Sequence, residues 1–157
     1  MLASLTPWCW HPWAGLPSRI AFESMAVRVL IVDDQRAFRV AAREVIAATD
    51  GFEVVGEAES GEESIAAATR LHPDLVLMDV QLPGFDGLEA SRRILSQQSD
   101  VVVFLLSTYE RENFGARIGA SGARAFIPKA SFDPEILANS WKAHGHASFG
   151  AILDESS

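Results

Sequence analysis

From Val27 onward, short and mostly apolar runs alternate with longer amphipathic stretches, and this alternation limits the folds open to the chain. The runs are Val27–Val32, Phe52–Ala58, Leu75–Met78, Val101–Leu106 and Ala125–Ile127. They have strand length, and strands covered on both faces need not alternate polar with apolar residues. Between the first two runs, Phe38, Ala41, Ala42, Val45 and Ile46 recur at the spacing of one helix face. Ser60-Gly61-Glu62-Glu63 has the form of a capping box, predicting a helix through about Leu71 that Pro73 stops. A Leu82-Pro83-Gly84 turn leads into a helix from about Gly87 to Gln97, and a weaker helix is expected over Glu112 to Gly119. Asp133-Pro134-Glu135 supplies a capping acid and a proline for a last helix, which runs to about His144 and ends at Gly145. Strand and helix in strict alternation predict right-handed βαβ crossovers. The expected fold class is therefore α/β, a doubly wound parallel sheet of five strands with five flanking helices.

A chain of 157 residues suits one domain, and 48% hydrophobic against 22% charged residues provides a core and excludes wholesale disorder. Thirteen basic against 21 acidic residues leave a formal charge of −8. That field disfavours direct contact with nucleic acid or an anionic membrane, and it suits a protein that gathers a divalent cation. No stretch approaches the roughly 20 apolar residues needed to cross a bilayer. Cys9 is the only cysteine, so no internal disulfide is possible and a reducing, cytoplasmic setting is expected. Residues 1–24 hold Trp8, Trp10 and Trp13 with Pro7, Pro12 and Pro17, and their first charge is Arg19, unlike a secretory signal. Met25 stands directly before the first strand, so residues 1–24 read as an extension upstream of the true start. The alternative is a docking arm anchored by its tryptophans. The expected organisation is an extension over 1–24, one domain over 25–145 and a tail over 146–157.

Ligands of an open α/β sheet bind beyond the carboxyl ends of the strands. Asp33 and Asp34 follow strand one, Asp79 strand three, Ser107 strand four and Lys129 strand five. Singly, each has a bland reading: a helix cap for Asp33-Asp34, a turn residue for Asp79, a strand-end cap for Ser107, a solvated lysine for Lys129. Together they place polar groups at every strand end but the second. Three carboxylates in one cleft must either hold protons or share a cation, and Mg²⁺, or Mn²⁺ in its place, is the natural hard ion. A carboxylate beside such an ion can attack phosphorus, while Lys129 pairs with a phosphoryl oxygen and Ser107 donates to another.

These stretches resemble a known family, the receiver domain of two-component response regulators. The resemblance rests on Val29-Leu30-Ile31-Val32-Asp33-Asp34, Leu77-Met78-Asp79-Val80-Gln81-Leu82-Pro83-Gly84, Leu105-Leu106-Ser107-Thr108 and Phe126-Ile127-Pro128-Lys129, and it covers roughly Val27 to His144. It implies a flavodoxin-like sheet of order 2-1-3-4-5. It implies Asp79 as phosphoacceptor, with Asp34, Asp79 and the Gln81 main-chain carbonyl as direct metal ligands and Asp33 acting through water. Ser107 becomes the switch hydroxyl, Phe126 the switch aromatic and Lys129 the phosphate-pairing lysine, while Gln81 and Tyr109 occupy positions that tune dephosphorylation. Ala130 stands where many members have proline after the lysine, and Pro128 precedes it, which puts in doubt the family's cis peptide bond there.

The function implied is a phosphorylation-controlled switch, not an enzyme on an external substrate. The implied partners are a sensor histidine kinase or phosphotransfer protein, and a homodimer through the strand 4–5 face is open to it. Two other readings compete. One is a receiver-like module that docks without chemistry. The other is an Asp-nucleophile phosphatase of the haloacid dehalogenase type, which wants a second Asp where Gln81 stands. Ser107-Thr108-Tyr109-Glu110 and Gly119-Ala120-Ser121-Gly122-Ala123 most resemble regulators with a helix-turn-helix output domain, which favours a lost or truncated effector domain over a stand-alone regulator.

Overall fold

In a computed structural model that describes residues 26–145, continuous apolar runs form the middle of a sheet. The strands are β1 (Val27–Val32), β2 (Phe52–Ala58), β3 (Leu75–Asp79), β4 (Val102–Ser107) and β5 (Ala125–Pro128). All pair in parallel, in the order β2-β1-β3-β4-β5. Every residue of β3 and β4 is buried, whereas the edge strands β2 and β5 are only partly covered. That burial is why the β3 and β4 runs carry no polar residue before their last position. The residues 1–25 and 146–157 lie outside the described residues, so the expected extension, the tail, Cys9, His146 and the three N-terminal tryptophans lie outside them too.

Alternate strand residues point to opposite faces, and each face has its own helices. Leu30, Val32, Val76, Met78, Val103 and Leu105 pack with residues of α2 (Gly61–Leu71), α3 (Gly87–Gln97) and the short α4 (Arg117–Ser121). Val29, Ile31, Leu75, Leu77, Phe104 and Leu106 pack with Ala42 and Ile46 of α1 (Arg36–Ala47) and Leu137 of α5 (Pro134–His144). Trp141 lies edge-on to Phe52 and Phe104, at 6.1 and 6.4 Å, as a helix face on a sheet requires. Among the described residues, no helix is long and apolar enough to cross a membrane.

Caps set where helices begin. Ser60 Oγ accepts from the Glu63 N–H at 3.1 Å, and Asp133 Oδ1 from the Ile136 N–H at 2.8 Å, as the sequence predicts. Two expectations change. The predicted helix over Glu112–Gly119 is a 3₁₀ turn at Arg111–Asn113 followed by α4, with Gly115 between them at φ +57°. A glycine in that left-handed conformation interrupts the helix. On α1, Ala41 is exposed and Arg39 is buried in its stead, with Ala42 and Ile46.

Candidate functional site

The parallel sheet brings the ends of β1, β3 and β5 to one edge, where the loops carry the acids. Asp33 and Asp79 are buried, 1% and 4% exposed, while Asp34 faces solvent. Carboxylate oxygens of the three lie within 4.8 Å of one another. Lys129, in a 3₁₀ turn directly after β5, places Nζ 2.6 Å from Asp33 Oδ2 and 3.4 Å from Asp79 Oδ2. Its peptide to Ala130 is trans.

Both buried acids are fixed by local backbone. Asp33 Oδ1 accepts from the Gln35 N–H at 2.7 Å and Asp79 Oδ1 from the Gln81 N–H at 3.1 Å, so each closes an Asx turn after its strand. Their other oxygens face each other and the lysine. Asp33 Oδ2 is buried and, beyond its ion pair with Lys129, takes part in no hydrogen bond. Burial first, and then the Asp33 carboxylate, push the Asp79 carboxyl up to about 6, against Lys129 and the Gln81 N–H, which lower it. A single ammonium does not neutralise this cluster. The donor set consists of hard oxygens, and one of them, buried Asp33 Oδ2, meets nothing but the Lys129 ammonium, which fits a divalent cation such as Mg²⁺.

Ser107 ends β4 fully buried, and its Oγ accepts from the Tyr109 N–H at 2.9 Å, which leaves the hydroxyl proton free to donate. Tyr109 is 48% exposed, the one large hydrophobic side chain so exposed among the described residues. Gln81 is exposed at the rim. Phe126 is half-buried and tilted against Phe114 at 5.9 Å. Asp34 and Gln81 open onto a groove of about 470 Å³ that Phe114 and Arg117 also line. Arg117 pairs with Asp86 at 2.6 Å, and Asp86 also caps α3 by accepting from the Glu89 N–H.

Residues 29–140 match the response regulator receiver domain. The chain belongs to the response regulator receiver domain family. It is 42% identical over 111 residues to response regulator GacA of Pseudomonas viridiflava, covering 71% of this chain and 52% of that protein. The receiver chain thus spans about half the length of the curated relatives it matches. Among solved structures it is similar to a two-component response regulator of the LuxR family from Aurantimonas sp. SI85-9A1, with TM-score 0.69, 30% identity and coverage of 75% and 84% of the two chains. It is also similar to a chain of the CheX-CheY-BeF3-Mg+2 complex from Borrelia burgdorferi, with TM-score 0.66, 25% identity and coverage of 78% and 92%. The sheet order and the family expected from the sequence are those found.

Some of what supports the receiver's acids escaped the sequence reading. Arg39 donates to the Asp33 main-chain carbonyl at 2.7 Å and to Glu57 and Glu59 at 3.0 and 3.2 Å, tying the loop after β1 to the end of β2. Arg43 also pairs with Glu57. The available signal was spacing, since Arg39, Ala42 and Ile46 lie on one helix face. Arg92 and Arg93 are exposed, and both also bind Glu89, holding its carboxyl down at about 2, while Arg93 covers the Phe85 ring at 4.2 Å.

Proposed function

We propose that Asp79 accepts a phosphoryl group from the phosphohistidine of a sensor kinase or phosphotransfer protein, and that the modified domain switches an output surface near β4 and β5. The observation that carries this reading is the convergence of the Asp33, Asp34 and Asp79 oxygens within 4.8 Å, with Lys129 Nζ against two of them. An Asp79 carboxylate oxygen forms a bond to phosphorus as the phosphorus–nitrogen bond to imidazole breaks, and the imidazole takes up a proton as it leaves. Lys129 pairs with one phosphoryl oxygen, and the Ser107 hydroxyl, already oriented by the Tyr109 N–H, donates to another. Asp34, Asp79 and the Gln81 carbonyl would hold Mg²⁺ or Mn²⁺ directly and Asp33 would hold it through water. The ion supplies charge that offsets the repulsion between carboxylate and phosphoryl oxygens. The Mg-containing complex to which the fold is similar supports that choice of ion. Phe126, half-buried beside Phe114, turns inward as Ser107 is drawn to the phosphoryl group in this reading, and the rim positions Gln81 and Tyr109 set how readily water reaches it. The reading places this exchange in the cytoplasm, over residues 25–145.

Incubation with acetyl phosphate and Mg²⁺ tests it. Stoichiometric, acid-stable label on the wild type that is absent from Asp79→Asn is the expected result. No label on the wild type would mean a docking module without chemistry, and many turnovers of an added phosphoester would mean a phosphatase.

A further inference from the structure

We propose that Phe38 is a positioning residue for Lys129, holding the lysine's ammonium against the carboxylate cluster; this rests on Asp79 being the phosphoryl acceptor. The sequence assigns Phe38 only to the apolar face of α1, and the site described above gives it no task. Its ring centroid nevertheless lies 4.6 Å from Lys129 Nζ, on a side chain only 10% exposed. The same ring meets Phe132 at 6.3 Å, and the Phe132 N–H donates to the Lys129 carbonyl at 3.2 Å to close the 3₁₀ turn. One aromatic side chain thus touches both the tip of the lysine and the residue that ends its turn.

The chemistry calls for such a group. A lysine carries its charge on a flexible four-carbon stem, so a fixed backbone does not fix the ammonium. Two anions pull it from one side, Asp33 at 2.6 Å and Asp79 at 3.4 Å. The face of a phenyl ring attracts a cation from another side without a lone pair. It therefore holds the ammonium in place without competing as a lone-pair acceptor for the N–H groups turned to carboxylate and phosphoryl oxygens. Leucine fills similar space without that attraction, so it separates packing from positioning.

The test uses the full chain, Phe38→Leu and Phe38→Tyr, with two readouts. One is the maximal rate of labelling by acetyl phosphate at saturating Mg²⁺. The other is the NMR shift of the Lys129 ε-protons, which the ring moves upfield of the ordinary lysine value. Phe38→Leu should lose the upfield shift and slow labelling about fivefold, with unchanged half-saturation by Mg²⁺, and Phe38→Tyr should restore both. Ordinary ε-proton shifts in the wild type would overturn the proposal without any variant. So would a Phe38→Leu protein that labels at the wild-type rate, or a rate loss that Phe38→Tyr leaves in place. A wild type that takes no label defeats the phosphoacceptor reading instead, and the proton shift then decides the contact alone.

Discussion

Asp79 is held in a condition that only its surroundings explain. Its carboxyl titrates near 6 in the folded chain against an ordinary value of 3.8, because burial and Asp33 together outweigh Lys129 and the Gln81 N–H. A raised folded value means that the native state binds the proton more tightly than the unfolded chain. The stability from this group is therefore complete below 3.8 and is lost as pH rises through about 6. In chelator at pH 7.5, Asp79→Asn should raise stability by about 1–2 kcal/mol, since it keeps the shape and removes the buried charge. Urea denaturation at pH 7.5 and again at pH 4 checks the sign, because the gain must shrink towards the acid end. An equal difference at both pH values would remove the explanation. The acids themselves were legible in the sequence, since each sits at the end of an apolar run. Arg39 was not, because its partners Glu57 and Glu59 lie at and just past the end of β2 and only folding brings them together.

At the scale of elements, the start of α3 is built around the chain that carries Asp79. Gly87 donates its N–H to the Val80 carbonyl at 2.7 Å, and a Cβ at Gly87 would fall well inside contact distance of the Asp79 carbonyl oxygen. Backbone atoms cannot swing aside as a side-chain tip does. Gly87→Ala should therefore cost about 2 kcal/mol or more and slow labelling of Asp79 in the fraction that remains folded. Thermal melts and a labelling assay on the same preparation would check this, and a variant of wild-type stability would mean that α3 shifts freely. The sequence predicted α3 closely, from the Leu82-Pro83-Gly84 turn that leads into it, and the structure adds the Asp86 cap that starts it. It overestimated α4, where the apolar signal spans a glycine whose positive φ depends on tertiary packing. The register of α1 also differed by one buried position, since Ala41 and Arg39 exchange roles when an ion-pair network supplies partners for a buried guanidinium.

Over the whole molecule, the site exists only because the sheet order sets the end of β1 beside that of β3 and, through β4, near that of β5. An unfolded chain has Asp33, Asp79 and Lys129 far apart in sequence and cannot gather them, so any cation held by the cluster binds the native state alone. Binding energy then adds directly to folding energy. With Mg²⁺ at ten to thirty times its dissociation constant, the folded state should gain about 1–2 kcal/mol. The gain should grow from pH 5 to pH 7.5, since below about 6 the ion must displace a proton from Asp79. It should also be smaller in Asp79→Asn, which lacks one charged ligand. General screening of the net −8 charge would act differently, through ionic strength and not through ion identity. Melting curves with MgCl₂ and with NaCl of equal ionic strength separate the two. A rise in Tm that NaCl reproduces, or that is indifferent to Asp79, would mean that the acids at this edge are only close together and do not share an ion.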